Sequence, residues 1–518
     1  MILKKRFLLP YLCVLFFVAC LSISCGSDND SVVNPDPTPV TPTGDDDNSD
    51  TNASAETVAM HNWMLQQMKA RYLWKEDIPS SVTTDTEDTQ AFFESMLSQN
   101  DGKHTSTSDY FYSNIEKDPK YTSTRALQSG DTYGMWLVWY RVVNTDESDT
   151  GHLAARILYV CDDSSAAQAG LERGDWIRAI SESETQKDIT SDNWMTLSSG
   201  SGIGLYVAKN WKAAREEDKL VTLSASREMT ISPVFRSAVV EQGGKKIGYL
   251  CYNAFLSGVT SFETFEYDDA LIEVFNSFKT QQIDELVLDL RYNGGGSLQT
   301  AGMLAYMIAP SSSLNDPIWI LTEQDGNERS YKMSTFIKRY KDGTEVVKDL
   351  DLPNLNLSNL YCLVSSNTAS ASEAVANGLK PYMNVTLIGK TTEGKDVGMD
   401  PIRDSENKYP YYMWPITFRI TSTDTSFHYS DGLVPDATND LDETSNDSIM
   451  YPLGDPQEIL FARAVELITG TTTTRAVKET STHPSVRVEV PAYSSLRNRP
   501  WYERNALMIP IEETKEAN

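Results

Sequence analysis

The chain has 518 residues, of which 40% are hydrophobic and 10% aromatic. This composition is typical of a globular protein, and the length is sufficient for two or three domains that each have a core of their own. Its 45 basic and 73 acidic residues give a formal net charge of −28, and a chain with this charge would repel phosphate. The composition therefore argues against a nucleic acid as a partner.

Residues 1–24 have the features of a secretory signal peptide. Basic residues at positions 4–6 precede an apolar run from Phe7 to about Ala19, and small residues follow this run. A transmembrane helix is the alternative, but the run is shorter than the roughly 20 apolar residues that a membrane span needs. The polar and acidic sequence that follows also favours a signal peptide.

The end of this signal, LSISCG at residues 21–26, resembles a lipobox, in which the cysteine is acylated and becomes the first residue of the mature protein. Cys20 is the alternative, and Cys25 is favoured because small residues flank it and an acidic stretch follows directly. Two or three acyl chains hold a protein durably on a membrane. The acidic stretch resembles a tag that directs some Gram-negative lipoproteins outward. We therefore expect a lipid-anchored protein of the outer membrane, on its periplasmic side or at the cell surface.

The next segments predict a linker and a small helical domain. Residues 25–54 are rich in Pro, Thr, Asp and Asn, which is typical of a disordered linker. From Glu56 the apolar residues follow helical spacing, and a second amphipathic stretch covers residues 91–97. We therefore predict a helical N-terminal domain over residues 55–124.

Short β-like runs dominate the following hundred residues. Among them the sequence SAAQAGLERGDWI at 165–177 predicts a short helix that closes on Gly170, then a turn and a strand. It resembles the SPAxxAGLxxGDxI stretch of PDZ domains. The resemblance implies a PDZ-like domain over residues 125–235, which would bind an extended peptide with its terminal carboxylate near residues 133–136.

From residue 236 to residue 470, β-like and helical segments alternate. This alternation predicts an α/β layer with largely parallel strands and a ligand site at their carboxyl ends. Residues 471–518 form a polar tail to which no role is assigned. Cys161, Cys251 and Cys362 lie in apolar runs and are expected to be buried free thiols. No metal-ligand spacing is present, so neither a metal nor a cofactor is expected.

Three motifs in this region bear on chemistry. The strand at 286–290 runs into RYNGGG, whose glycines leave backbone N–H groups bare enough to approach a substrate carbonyl. The sequence SASE at 370–373 fits the start of a helix, where a capping box and a nucleophile in the field of the helix dipole are both possible. The third motif, TTEGKD, covers residues 391–396 and includes Lys395, 25 residues after Ser370.

In this order and spacing, the three motifs resemble the DLRxNxGG, SASE and TxGKG segments of the C-terminal processing (tail-specific) peptidases. The resemblance covers most of residues 125–470 and implies a serine endopeptidase with an α/β core of tricorn- or crotonase-like layers and a protein or peptide substrate. It implies that Ser370 is the nucleophile and Lys395 the general base, with the N–H groups of Gly295 and Ala371 as the oxyanion hole. A lysine can act as a base only when it is neutral, so its amine must be buried.

Two departures from the family pattern leave alternatives open. Met399 stands where the family often has a Gln or Glu that orients the lysine, and Asp396 replaces the usual glycine. These residues favour the alternative of a catalytically inactive, peptide-binding surface lipoprotein. In addition, NDGKHT at 100–105 resembles the segment from which tricorn-like peptidases take a histidine, so His104 is an alternative base.

Overall fold

The structure is a computed structural model, and it describes residues 53–105, 109–117, 131–143, 149–183, 185–211, 213–229, 232–259, 264–341, 345–424, 428–444, 449–471 and 486–489. The predicted signal peptide, the predicted lipidation site Cys25 and most of the predicted linker and tail lie outside these residues. Within the described ranges, no helix is both long enough and apolar enough to cross a membrane.

The N-terminal region contains two helices and three short strands. Its elements are α1 (Ala55–Arg71), α2 (Thr89–Glu94), β1 (Lys103–His104), β2 (Asp109–Tyr110) and β3 (Asn114–Lys117). Ser54 and Asp88 cap the two helices, because their side chains accept hydrogen bonds from first-turn N–H groups. The predicted small helical domain is confirmed, and the short strands add a detail that helical periodicity did not indicate.

The second region is rich in antiparallel strands. Its elements are β4 (Asp131–Thr132), β5 (Met135–Val143), β6 (Asp149–Val160), α3 (Ser165–Gln168), β7 (Trp176–Glu182), β8 (Thr185–Asp188), β9 (Ile203–Ala208), β10 (Lys219–Leu223) and β11 (Arg227–Glu228). The predicted short helix that closes on Gly170 is present as α3, and Gly170 has a φ of +77°. The PDZ-like assignment of this region stays a prediction.

The third region contains the α/β layers. Its elements are β12 (Val234–Gln242), β13 (Lys245–Tyr252), α4 (Glu266–Gln281), β14 (Glu285–Asp289), α5 (Leu298–Ile308), β15 (Pro317–Glu323), β16 (Glu328–Lys332), β17 (Lys338–Lys341), β18 (Glu345–Asp349), β19 (Asn359–Val364), α6 (Ala371–Leu379), β20 (Asn384–Gly389), β21 (Val397–Met399), β22 (Tyr411–Trp414), β23 (Ile416–Thr421) and α7 (Ile459–Thr469). A further short strand, β24 (Val486–Glu489), pairs with β5.

Two sheets form the layers of the third region. One has the order β12-β13-β14-β19-β20, with β13, β14, β19 and β20 parallel and β12 an antiparallel edge strand. The other is an antiparallel sheet of order β16-β15-β23-β21, which the alternation of the sequence did not predict. Helices α4, α5 and α6 share one large apolar core with the two sheets, including Leu271, Phe275, Leu304 and Val375. The three cysteines are buried free thiols, as predicted.

The N-terminal region packs directly on the core formed by the third region. Strand β3 pairs with β22, and Met64, Met68 and Phe93 share an apolar cluster with Met399 and Ile416 of the core. Burial of these side chains stabilises the contact by about 2 kcal/mol for each fully buried residue. As a result, the hydroxyls of Tyr110 and Tyr112 contact Glu393, which belongs to the third motif.

Candidate active site

Three neighbouring parallel strands carry the three motifs to one edge of the sheet. Strand β14 pairs with β19, and β19 pairs with β20, so that Asp289 lies opposite Leu363 and Val364 opposite Gly389. Because parallel strands end on the same side of a sheet, the glycine turn, the SASE helix and the TTEGKD loop all begin at that edge. This topology brings together residues that are up to a hundred positions apart in sequence.

Ser370 occupies a strained turn at the start of α6. Its φ of +60° and ψ of −117° are unusual for a residue with a Cβ atom, and such strain is often kept at functional sites. Its side chain is buried, and the Oγ atom has no hydrogen-bond partner among the described residues. The hydroxyl of Ser372 instead donates to the carbonyl of Asn293 over 3.0 Å. Of the two serines in the motif, Ser370 is therefore the one with an uncommitted hydroxyl.

The carboxylate of Glu373 joins the start of helix α6 to the loop that carries Lys395. One oxygen accepts from the backbone N–H groups of Ser370 and Lys395, over 2.8 and 2.9 Å, and the other accepts from Thr392 Oγ1 and Gly394 N. Since both nitrogens bind one oxygen atom, they are less than about 6 Å apart. Burial raises the pKa of Glu373 to about 7, although these four hydrogen bonds favour the ionised form.

The amine of Lys395 is buried, which is the condition that a lysine base requires. Burial lowers the pKa of Lys395 to about 7, and the negative charges of Asp101, Glu393 and Glu373 oppose this shift. The Nζ atom lies 4.8 Å from the centre of the Tyr112 ring. Asp101 and Tyr112 belong to the N-terminal region, so this region contributes directly to the surroundings of the lysine.

Gly295 lies against Ser370, and only glycine fits there. Its φ is +108°, and a Cβ atom at this position would lie 2.7 Å from the Cβ of Ser370 and 3.1 Å from the amide nitrogen of Ala371. The N–H of Ala371 is the first of helix α6 and so has no acceptor within the helix. The N–H of Gly295, however, donates to Oδ1 of Asn293 over 2.9 Å. The predicted oxyanion donors are adjacent, and one of them already has an acceptor.

His104 has both of its ring nitrogens in contact with acceptors of its own loop. Nδ1 lies 2.8 Å from Oδ1 of Asp109, and Nε2 lies 3.3 Å from the carbonyl oxygen of Asp101. The ring also packs on Phe111. This arrangement explains the position of His104 without a catalytic role, and its assignment as an alternative base stays a prediction.

The two positions that depart from the family pattern have structural explanations. Asp396 accepts from Arg419 over 2.6 Å and from the hydroxyl of Ser430 over 2.9 Å. Met399 is fully buried in the apolar cluster between the core and the N-terminal region. The polar group that would orient the lysine from position 399 is therefore absent, and Tyr112 and Asp101 approach the lysine from the N-terminal region.

A buried ionic network holds the end of strand β14, from which the glycine turn starts. The guanidinium of Arg291 contacts Asp289, Glu443 and Glu458, and Glu443 and Glu458 also contact Arg173 of the second region. Burial opposes the ionised form of Glu443, but the two arginines lower its pKa to about 2. Since removal of one member would leave buried charges unpaired, this network fixes the strand end from which the glycine turn starts.

Comparisons with known proteins agree with this geometry. Residues 246–416 match the family model described as Peptidase family S41, and residues 59–114 match the model described as Peptidase S41 N-terminal domain. A solved structure from Bacteroides fragilis, named as that of a candidate S41 protease, superposes with a TM-score of 0.63 and 28% identity, over 79% of this chain and 97% of that chain.

Curated relatives include two carboxyl-terminal-processing proteases. The one from Picosynechococcus is 24% identical over 287 residues, which are 55% of this chain and 59% of that protein. The one from Synechocystis is 23% identical over 418 residues, which are 80% of this chain and 83% of that protein. Both family domains occur here in sequence and pack on each other, with the glycine turn, the SASE helix and a buried lysine at one sheet edge. The chain is therefore a serine-type peptidase in which residues 59–114 and 246–416 match the two domain models of peptidase family S41.

Proposed function

We propose that this chain is a serine endopeptidase that cleaves unfolded or C-terminally exposed proteins outside the cytoplasm, with Ser370 as nucleophile and Lys395 as general base. The observation that carries this proposal is the bridge through Glu373. One of its carboxylate oxygens, Oε2, accepts from the backbone N–H groups of both Ser370 and Lys395. This bridge holds the nucleophile and the base on adjoining loops, as an acyl-transfer site requires.

In the proposed reaction, the neutral amine of Lys395 takes the proton of the Ser370 hydroxyl as Oγ attacks the carbonyl carbon of the substrate. The oxyanion that forms would lie near the N–H of Ala371, at the positive end of helix α6. The protonated lysine then gives its proton to the leaving amine, and an acyl-enzyme on Ser370 remains. A water molecule, deprotonated by the same lysine, hydrolyses this ester and restores both residues.

The second oxyanion donor requires a rearrangement. The N–H of Gly295 reaches the same place only if its hydrogen bond to Asn293 opens or is shared. Such tightening on substrate binding is common, because catalytic hydrogen bonds are often incomplete in a free enzyme. We therefore assign Gly295 and Ala371 as the oxyanion hole of the substrate complex.

Four variants test the assignment of the two residues. Ser370→Ala and Lys395→Met should abolish cleavage of denatured casein, while their far-ultraviolet circular dichroism and melting temperature stay near those of the native protein. The matched controls are Ser372→Ala and Lys390→Ala. Ser372 is the other serine of the motif. Lys390 directly precedes the motif that contains Lys395; it is half-exposed and forms an ion pair with Asp440. Both controls should retain cleavage within a few-fold.

His104→Ala decides between the two candidate bases. If Lys395 is the base, this variant cleaves casein at a rate close to that of the native protein. Loss of activity in His104→Ala with activity retained in Lys395→Met would overturn the dyad. Purified native protein that does not cleave denatured substrates, and whose residual signal is the same in Ser370→Ala, would support the alternative of a catalytically inactive peptide-binding lipoprotein.

The place of action is proposed from the N-terminal sequence alone. The segment at 21–26 supports acylation of Cys25 and attachment to the outer membrane. Metabolic labelling with radioactive palmitate should label the native chain and not Cys25→Ala, and Cys25→Ala should move from the membrane fraction to the soluble fraction. Labelling that persists in Cys25→Ala and is lost in Cys20→Ala would move the anchor to the alternative cysteine.

A further inference from the structure

We propose that Asp101 and Tyr112 are positioning residues for Lys395, so that the N-terminal region completes the pocket of the general base. This inference rests on the proposed function. It assigns to the N-terminal region a part in the chemistry, in addition to its packing on the core.

Tyr112 forms a wall of the lysine pocket. Its side chain is buried, the centre of its ring lies 4.8 Å from Nζ of Lys395, and its hydroxyl lies 3.3 Å from Oε1 of Glu393. The face of an aromatic ring attracts a cation and also excludes water from it. The ring therefore fixes the amine in place and removes solvent that would otherwise keep the lysine protonated.

Asp101 places the tyrosine and adds a negative charge near the amine. Its carboxylate accepts from the backbone N–H groups of Tyr112 and Ser113, both over 3.0 Å, and from the hydroxyls of Ser113 and Tyr72. Burial raises the pKa of Asp101, and the hydrogen bonds donated by Ser113 and Tyr72 oppose this shift and favour the ionised carboxylate. Asp101 is fully buried, so its charge acts on Lys395 with little screening by water.

The charges of three carboxylates and the ring of Tyr112 act on the amine. Asp101 and Tyr112 come from the N-terminal region, Glu393 from the lysine's own loop, and Glu373 from helix α6. The carboxylates favour the protonated amine and burial favours the neutral one, and burial prevails. Because Met399 offers no polar group, orientation of the lysine depends on these neighbours.

Because burial and carboxylate charge act in opposite directions on the pKa of Lys395, variants that remove one or the other should shift the pH profile in opposite directions. The pH dependence of kcat/KM for a fluorogenic peptide or casein is measured for the native protein, Asp101→Asn, Tyr112→Ala and Tyr112→Phe. Asp101→Asn removes a negative charge and should move the midpoint of the acidic limb to lower pH by about one unit. Tyr112→Ala admits water and should move it to higher pH, with at least a tenfold loss of kcat/KM at pH 7. Tyr112→Phe keeps the ring and should keep the midpoint.

A control separates this role from simple support of the fold. His61 is buried between α1 and α2, where it contacts the carbonyl of Thr84 and the hydroxyl of Thr89 and stacks on Phe92. His61→Leu should lower the melting temperature of the protein without moving the midpoint of the pH profile. A purely structural role for Asp101 and Tyr112 predicts the same behaviour for their variants.

The outcomes also distinguish this inference from the proposed function. An active native protein that depends on Ser370 and Lys395, combined with an unmoved midpoint in Asp101→Asn and Tyr112→Ala, would overturn the inference and leave the dyad intact. If Tyr112→Ala does not fold, Asp101→Asn decides, since an amide has the shape of the carboxylate. Activity that does not depend on Lys395 would refute the proposed function itself.

Discussion

Ser370 and Lys395 donate their backbone N–H groups to the same atom, Oε2 of Glu373. The motif SASE thus has two functions at once, because its glutamate closes the start of the helix and also ties the lysine loop to it. The second oxygen of the glutamate holds Thr392 and Gly394, so four donors from two segments meet on one buried carboxylate. The geometry of the pair is therefore set by the backbone, which is more rigid than either side chain.

The first prediction concerns this bridge. Glu373→Gln replaces one acceptor oxygen by an NH2 group, which faces two of the four donors and leaves them without an acceptor. We expect the free energy of unfolding to fall by about 2 kcal/mol or more, since buried donors without partners cost about 1–3 kcal/mol each. We also expect kcat to fall by at least about 100-fold, since small misplacement of reacting groups has effects of this size.

Urea denaturation and casein cleavage measure the two effects of Glu373→Gln. Glu285→Gln is the matched control, because Glu285 lies at the amino end of β14, where its carboxylate accepts from Asn359. The control should change neither quantity appreciably. A Glu373→Gln variant with native kcat would show that the bridge is dispensable for the positions of the two residues.

The second prediction concerns pH. Burial lowers the pKa of Lys395 to about 7 and raises that of Glu373 to about 7. In the proposed reaction, activity needs the neutral amine and the ionised carboxylate, and both are formed by loss of a proton as the pH rises. kcat/KM should therefore increase through a midpoint near pH 7, with a slope of log(kcat/KM) against pH between one and two on the acidic side. In Glu373→Gln the slope of the residual activity should be one. A profile that declines from pH 6 to pH 8 would contradict the assignment of Lys395.

Much of the site could be predicted from sequence because its motifs are local. DLRYNGGG, SASE and TTEGKD each place a residue directly after a strand, and the rule that parallel strands end together brings Gly295, Ser370 and Lys395 to one edge. The alternation of β-like and helical segments over residues 236–470 also predicted the parallel sheet, in which α4 lies between β13 and β14 in chain order. The antiparallel sheet β16-β15-β23-β21 was not predicted, since it joins the hairpin β15-β16 to strands about 70–100 residues further along the chain, and such long-range pairing leaves no local pattern.

The contribution of the N-terminal region could not be predicted for a physical reason. Tyr112 and Asp101 are almost 300 positions from Lys395, and only tertiary packing of α1 and α2 on Met399 and Ile416 brings them to the lysine. The sequence drew attention to the neighbouring His104 through its likeness to another family, yet that ring contacts only its own loop and Phe111 in the hydrogen bonds and ring contacts described. The hydrogen bond from the Gly295 N–H to Asn293 was also not predicted, because it depends on the orientation of the Asn293 side chain, which a sequence pattern does not determine.

The third prediction concerns the backbone strain at Ser370. Ser370 has a φ of +60° and a ψ of −117°, a conformation that costs about 1–3 kcal/mol for a residue with a Cβ atom. Ser370→Ala keeps this strain and Ser370→Gly removes it, while both lack the hydroxyl. The free energy of unfolding should therefore be higher for Ser370→Gly than for Ser370→Ala by about 1 kcal/mol, although glycine also loses more backbone entropy on folding. Ser372→Gly, measured against Ser372→Ala, is the control and should be the less stable of its pair, because residue 372 is helical. If the glycine variant were less stable than the alanine variant at both positions, this result would argue against strain at position 370.

The last prediction concerns the glycine turn. Gly295→Ala introduces a Cβ atom 2.7 Å from the Cβ of Ser370, 3.0 Å from the carbonyl oxygen of Ala369 and at a φ of +108°. Either the turn or the start of α6 must shift, and the amides at 295 and 371 then no longer point to one place. We expect kcat to fall by about 100-fold or more, the size of effect seen when one oxyanion donor is lost, with a smaller change in KM. Gly326→Ala is the matched control, because Gly326 also has a positive φ, +82°, and has open space where its Cβ would be. This control carries the same backbone strain without the contact at the nucleophile, so a comparable loss of kcat in both variants would contradict a role for the turn at position 295.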